Sequence, residues 1–288
     1  MKLSGLGLYN ATANQSASVI IRRYSTSFGW ASRLLDHRVR RHIACIYGLV
    51  RIADELVDGP AAIAGVDAEM RRTMLDELER ETERALRLGF STNIVVHAFA
   101  LTAREHDIGM DLCRPFFSAM RTDVESTSFN SSALHDYIYG SAEVVGLMCL
   151  AVFEHGRIRD SQEQTQLVDG ARRLGAAFQK VNFLRDFAED HDVLGRVYFA
   201  GTEKALTEES KREIIDSIRE DLRAADASIP LLTSECRPAV WAARTMFSEL
   251  THRLDTTSVA ALTHTRVRVP NTVKARILGR AIGMRISR

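Results

Sequence analysis

Segment after segment of this 288-residue chain repeats its apolar residues at the 3.6-residue period of an α-helix, and no stretch alternates as a half-buried strand does. A helix with one apolar stripe must bury it against other helices, so the chain is expected to be all-α. The pattern predicts helices near residues 37–58, 67–88, 92–106, 133–154, 162–190, 209–227, 236–253 and 270–286. The breaks near Gly59-Pro60, Asn130-Ser131-Ser132 and Gly195 to Gly201 are loop-sized, so residues 1–288 read as a single domain with a substantial core. Five prolines and a hydrophobic content of 45% suit such a helical bundle.

Two of these segments place acids in pairs. Asp54 and Asp58 in RIADELVD lie four residues apart, as do Asp186 and Asp190 in NFLRDFAED. On a helix that spacing puts both carboxylates of a pair on one face, a ready clamp for a hard divalent cation. Asp54 and Asp58 also continue the stripe of Ile43, Tyr47 and Val50, the face this helix should bury. Uncompensated carboxylates there would cost several kcal/mol each, so they require cations, which magnesium and the neighbouring Arg51 would supply. Glu77 and Glu81 share the spacing but sit among Arg72, Arg80, Arg84 and Arg87, and read as solvated surface. In the second segment Gly175, Gln179, Asn182, Asp186 and Asp190 project onto one polar stripe, with Phe178, Phe183, Leu184 and Phe187 around the rest. A buried hydrogen-bond network between helices is the other use for such a seam. Two acidic faces across a cavity suit a magnesium-bridged diphosphate.

Composition narrows the classes. A formal charge of +1 leaves no cation excess for a dedicated nucleic-acid binder. Cys45, Cys113, Cys149 and Cys236 form no CxxC motif and read as reduced residues, mostly in the core, consistent with a cytoplasmic chain. The nine histidines show no zinc-type spacing and are assigned no role. The N-terminus lacks the cationic-then-apolar order of a secretory signal, and no run of about 18 successive apolar residues predicts a membrane span. Near the C-terminus Lys274, Arg276, Arg280, Arg285 and Arg288 alternate with Val273, Ile277, Leu278, Ile282 and Ile286. Such a basic amphipathic helix either makes a peripheral contact with an anionic membrane or packs on the domain with a solvated basic face.

Tyr24-Ser25-Thr26-Ser27-Phe28, YGLVRIADELVD, YIYGSAEVVGLM at 137–148, LGAAFQKVNFLRDFAED and GRVYF resemble, in order and spacing, the squalene/phytoene synthase family, above all its actinobacterial phytoene synthases. The resemblance runs from about residue 18 to about residue 278. It implies a class I isoprenoid (terpenoid) synthase helical bundle with a central cavity. Two allylic prenyl diphosphates, the substrate partners, would be joined head to head there with Mg2+ or Mn2+. By the same resemblance Asp54, Asp58, Asp186 and Asp190, with Asn182, hold the metal, and Arg51, Gln179, Asn182 and Arg185 face the diphosphates. Tyr137 is the aromatic of the central helix, there to stabilise a cation or bind diphosphate. Tyr24, Ser25 and Ser27 offer hydroxyls at the site entrance, unless they cap a helix. Arg196 and Tyr198 lie on a loop expected to close over diphosphate, and either Arg266 or Arg268 adds a cation from the C-terminal side. Glu55 stands where many members carry a second consecutive Asp, and Tyr24 where His is common. Lys180 replaces an apolar residue and is expected to be solvated on the flank of the polar seam.

The chemistry explains these residue types independently. Breaking a C–O bond to diphosphate needs cations around the leaving group, and the carbocation that follows needs dry apolar walls. Gly140, Ser141, Ala142 and Gly146, with Val144, Val145, Leu147 and Met148, suit such a wall, or else close helix packing. Members that make thirty-carbon products tend to carry bulky aromatics where this chain has Ser32 and Ala44. Small residues there deepen the pocket and favour geranylgeranyl over farnesyl diphosphate. The expected activity is that of a phytoene synthase in carotenoid biosynthesis, with no NADPH. A squalene or dehydrosqualene synthase acting on farnesyl diphosphate, a non-catalytic assembly relative and a terpene cyclase are the alternatives.

Overall fold

A computed structural model describes residues 5–25, 27–57, 59–125, 131–187, 206–262 and 264–286. Its first helices are α1 (Leu6–Tyr24), α2 (Ser27–Ser32), α3 (His37–Val57), α4 (Pro60–Ile63), α5 (Ala68–Leu88), α6 (Ile94–Glu105) and α7 (Met110–Glu125). There follow α8 (Ser131–Ile138), α9 (Val144–Phe153), α10 (Ser161–Arg185), α11 (Glu208–Asp226), α12 (Arg237–Thr256), α13 (Val259–Leu262) and α14 (Asn271–Ile286). A π-helical segment, Tyr139–Glu143, joins α8 to α9. No strand occurs among the described residues.

Local chemistry sets the helix ends. Asp67 starts α5 by accepting from the Met70 N–H at 2.8 Å, and Asp160 starts α10 by accepting from the Glu163 N–H at 2.8 Å. Thr207 and Ser210 form a reciprocal capping box at the head of α11. Gly89 closes α5 at φ 73°, the left-handed region that favours glycine.

Two long helices, α1 and α7, and the short α2, α4 and α13 go beyond the periodicity expected from sequence. Polar residues dilute the stripe of α1, which buries only small or single apolar residues, Ala13, Ala17 and Ile21. Inside α7 stands Pro115, which lacks the N–H for an interior helical bond. The sequence also suggests an unbroken helix over 133–154, whereas the π segment interrupts it. The segment Ser132–Phe153 is by length and composition apolar enough to cross a membrane, a property that counting successive apolar residues does not reveal. Half of that window is buried against other helices of the bundle.

The apolar core is organised around α10. Its Ala176 and Phe183 belong to a cluster with residues of α3, α5, α6, α7, α8 and α9, while Ala177, Val181 and Leu184 join a second cluster with α11 and α12. Helical geometry sets the polar seam of α10 beside the Ala176 and Phe183 face. Glycines let the central helix approach its neighbours. A Cβ on Gly140 would lie 2.3 Å from the Pro115 carbonyl oxygen, one on Gly146 2.5 Å from that of Ala171, and one on Gly175 2.6 Å from that of Ala142. Of the two uses the sequence leaves open for Gly140 and Gly146, close helix packing is the one observed.

The cysteines behave as core residues: burial pushes the Cys45 thiol up to about 11 and those of Cys113 and Cys149 up to about 12. At the C-terminus α14 packs on the bundle through Ile277 and Ala281, while Ile282 and Met284 stay exposed. Its basic face is not wholly solvated, because Lys274 is buried beside Arg268 and desolvation lowers its pKa.

Candidate active site

At the C-terminal end of α3, Arg51, Asp54 and Glu55 share one helical turn, where side chains three and four apart meet. The Arg51 guanidinium pairs with Glu55, and its Nη1 lies 3.9 Å from Asp54 Oδ2. It also stands over the Tyr24 ring, 4.5 Å from the centroid. Desolvation works against the Arg51 charge, but the Asp54 and Glu55 carboxylates outweigh it and raise its pKa. Burial likewise raises the phenol of Tyr47, opposed by the Arg51 cation and a hydrogen bond with Ser25. Ser25 Oγ also accepts from the Gly29 N–H at 2.9 Å, so it satisfies an early donor of α2, the capping use left open above.

The second acidic segment departs from expectation. The sequence carries its helix to residue 190, but α10 stops at Arg185 and Asp186 is the capping residue at φ -99°, its N–H still bonded to the Asn182 carbonyl at 2.9 Å. Its side chain is gripped by two guanidinium groups. Arg185 Nε donates to Asp186 Oδ1 at 2.9 Å. From the stretch between α13 and α14, Arg266 Nε lies 2.9 Å from the same oxygen and its Nη2 donates to Oδ2 at 3.2 Å. Flanking cations therefore hold Asp186 at a helix end. Of the two C-terminal arginines, Arg266 is the one paired with Asp186. Asn182 and Gln179 are half-buried one and two turns earlier. Asp58, Asp190, the side chain of Ser27 and the GRVYF stretch with Arg196 and Tyr198 lie outside the described residues.

Residues 21–272 match the sequence pattern of the squalene/phytoene synthase family. The chain belongs to that family. It is 28% identical to chloroplastic phytoene synthase 3 of Zea mays over 280 residues, covering 91% of this chain and 63% of the maize protein. Over 260 residues it is 28% identical to 15-cis-phytoene synthase of Synechococcus elongatus, covering 83% and 82% of the two chains. The 4,4'-diapophytoene synthase of Staphylococcus haemolyticus is 27% identical over 203 residues, 70% of this chain and 66% of that protein. The chain thus spans somewhat less than two thirds of the maize and staphylococcal relatives. A crystal structure of a dehydrosqualene synthase shares the fold with a TM-score of 0.77 at 22% identity, covering 98% of this chain and 99% of that one.

Other positions singled out from this family's pattern fall as follows. Tyr137 is buried, donates its hydroxyl to Asp123 Oδ2 at 2.9 Å, and stacks on Phe183 with centroids 5.8 Å apart. Asp123 escaped the sequence reading because α7 itself did. Ser32 and Ala44 are both buried. The Ser32 hydroxyl donates to the Gly29 carbonyl at 2.9 Å, and Ala44 joins an apolar cluster with Ala13, Ala17 and Ile21 of α1. Lys180 is not solvated as expected. Its Nζ donates to Ser217 Oγ and Asp221 Oδ2 of α11, both at 2.7 Å, because the buried Asp221 carboxylate requires cations and takes a second from Arg173 at 3.0 Å. The comparison pair also needs correction. Glu77 is exposed, but Glu81 is half-buried and accepts from Ser91 Oγ at 2.5 Å, which ties down the corner between α5 and α6.

Proposed function

We propose that this family member is a phytoene synthase, joining two geranylgeranyl diphosphates head to head through a cyclopropylcarbinyl diphosphate that ionises, rearranges and loses a proton to give phytoene. One observation carries the reading. Carboxylate and guanidinium are set together at the ends of both α3 and α10, the two helices with acidic motifs. Among the described residues the α3 cluster holds two carboxylates and one cation, a donor set of hard oxygens that fits Mg2+. Asp54 would hold the ion with Asp58, and Asp186 with Asp190. Bound there, the metal would neutralise charge on the departing diphosphate.

The chain's own cations have a complementary task. Arg51, Arg185 and Arg266 would bind diphosphate oxygens and keep the leaving group oriented while its charge develops. The apolar cluster with Val144, Met148 and Phe183 would keep water from the carbocation. Small side chains at Ser32 and Ala44 favour the longer prenyl chain. The phytoene synthases of maize and Synechococcus elongatus support this reading.

A second reading, condensation of farnesyl diphosphate, is favoured by the likeness to a diapophytoene synthase and to the fold of a dehydrosqualene synthase. Purified protein incubated with magnesium and each prenyl diphosphate in turn separates the two. Phytoene from geranylgeranyl diphosphate is the expected product, a thirty-carbon hydrocarbon from farnesyl diphosphate alone replaces it with the second reading, and no hydrocarbon from either rejects both.

A further inference from the structure

Near the other end of α3, three histidine rings stand in a row. The ring centroids of His42 and His106 are 4.4 Å apart, and those of His106 and His155 4.5 Å. His42 and His106 are 5% and 7% exposed, while His155 lies on the exposed turn after α9. Both ring nitrogens of His106 are sealed from solvent without a hydrogen-bond partner. A buried imidazole normally satisfies at least one of them, so both nitrogens of His106 remain open to a partner. His42 Nδ1 is engaged with Thr102 Oγ1 at 3.0 Å, which fixes the ring and leaves Nε2 to face the cluster. Glu105, the last residue of α6, brings its carboxylate to 3.6 Å from that Nε2. One donor atom each from His42, Glu105 and His106 lies within 4.8 Å of the others.

We propose that His42, Glu105 and His106 form a site for a divalent transition-metal ion of the zinc class. Two imidazoles and one carboxylate are a borderline-soft set that suits zinc, copper or nickel better than magnesium, and three protein ligands leave a position for water. Burial lowers the His42 pKa to about 4 and lowers that of His106 too, so at neutral pH both rings are in the uncharged form that binds metal. Arg41 stands against it, with Nη2 3.2 Å from His42 Nε2. The Nε of Arg41 has no partner of its own, so displacing the guanidinium breaks little else. Ligand bonds of about 2.1 Å set tetrahedral donors about 3.4 Å apart, close to the 3.6 Å already present between the Glu105 carboxylate and His42 Nε2. The ion would tie α3 to the end of α6. Twelve residues of helix, roughly 18 Å, separate His42 from Asp54, so the site is distinct from the acidic clusters.

The test is titration of the chelator-stripped full chain with zinc sulfate, in buffer containing excess magnesium, followed by calorimetry. A parallel titration with cobalt(II) follows the visible bands of tetrahedral cobalt. One zinc per chain is expected, retained in Asp54→Asn, weakened ~tenfold or more in His106→Ala and Glu105→Gln, and tightened in Arg41→Met. Glu105 is exposed, so its variant remains informative even if His106→Ala fails to fold. No saturable uptake, uptake unchanged by Glu105→Gln, or uptake lost in Asp54→Asn would overturn the proposal.

Discussion

Among the described residues the two acidic ends of the bundle are built with opposite balance. On α3, Asp54 and Glu55 outnumber Arg51, and Asp54 is the more distant partner at 3.9 Å. At the end of α10 the ratio is reversed, with Arg185 and Arg266 both on Asp186. Two motifs that look interchangeable in sequence thus differ in what they offer. Among the described residues the α3 cluster sets two carboxylates against one guanidinium and the α10 cluster two guanidiniums against one carboxylate, so a metal bound by Asp186 would first have to loosen two charge-assisted contacts.

Breaking the α3 side should have the largest effect. Asp54→Ala is expected to lower turnover ~10³-fold or more with helical circular dichroism unchanged, because on the proposed function a carboxylate lost there would remove a metal ligand. Turnover within tenfold of wild type would show that the two ends are not divided as described. Next comes Arg266→Ala, expected to cost ~10²-fold in kcat/KM while Asp186 keeps Arg185. Its steady-state kinetics at saturating magnesium decide whether the second guanidinium serves substrate or only the fold.

Lys180→Met sharpens the comparison from the other face of α10. It should destabilise the protein by ~1–3 kcal/mol in a urea titration, since buried Asp221 loses one of two cations, and leave kcat within about twofold. The smallest effect concerns pH. His42 is held down to about 4 from an ordinary 6.5, so the unfolded chain binds the extra proton between those values. Its contribution to stability is complete above pH 6.5 and drains away as pH falls toward 4. Thermal melts across that window should show the slope in wild type and a shallower one in His42→Gln, which separates acid sensitivity at one end of α3 from chemistry at the other.

The sequence shows clearly whatever a single helix determines by itself. Asp54 lies in line with Ile43 and Tyr47, and α3, α5, α11, α12 and α14 begin and end within two or three residues of the periodic segments. Contacts that join distant parts of the chain are not visible in this way. Arg266 reaches Asp186 across 80 residues, and Lys180 turns to α11 because of a buried Asp221 that no local pattern ties to it. The histidine row is assembled from α3, α6 and the turn after α9, so no spacing rule for zinc could mark it. In α7, Pro115 argues against a helix whose Asp123 proves to be the partner of Tyr137.

With nothing but hydrogen between Gly140 and the Pro115 carbonyl, α7 and the central helix meet backbone to backbone. That contact works as a keel: it fixes the depth at which Tyr137 and Asp123 face each other.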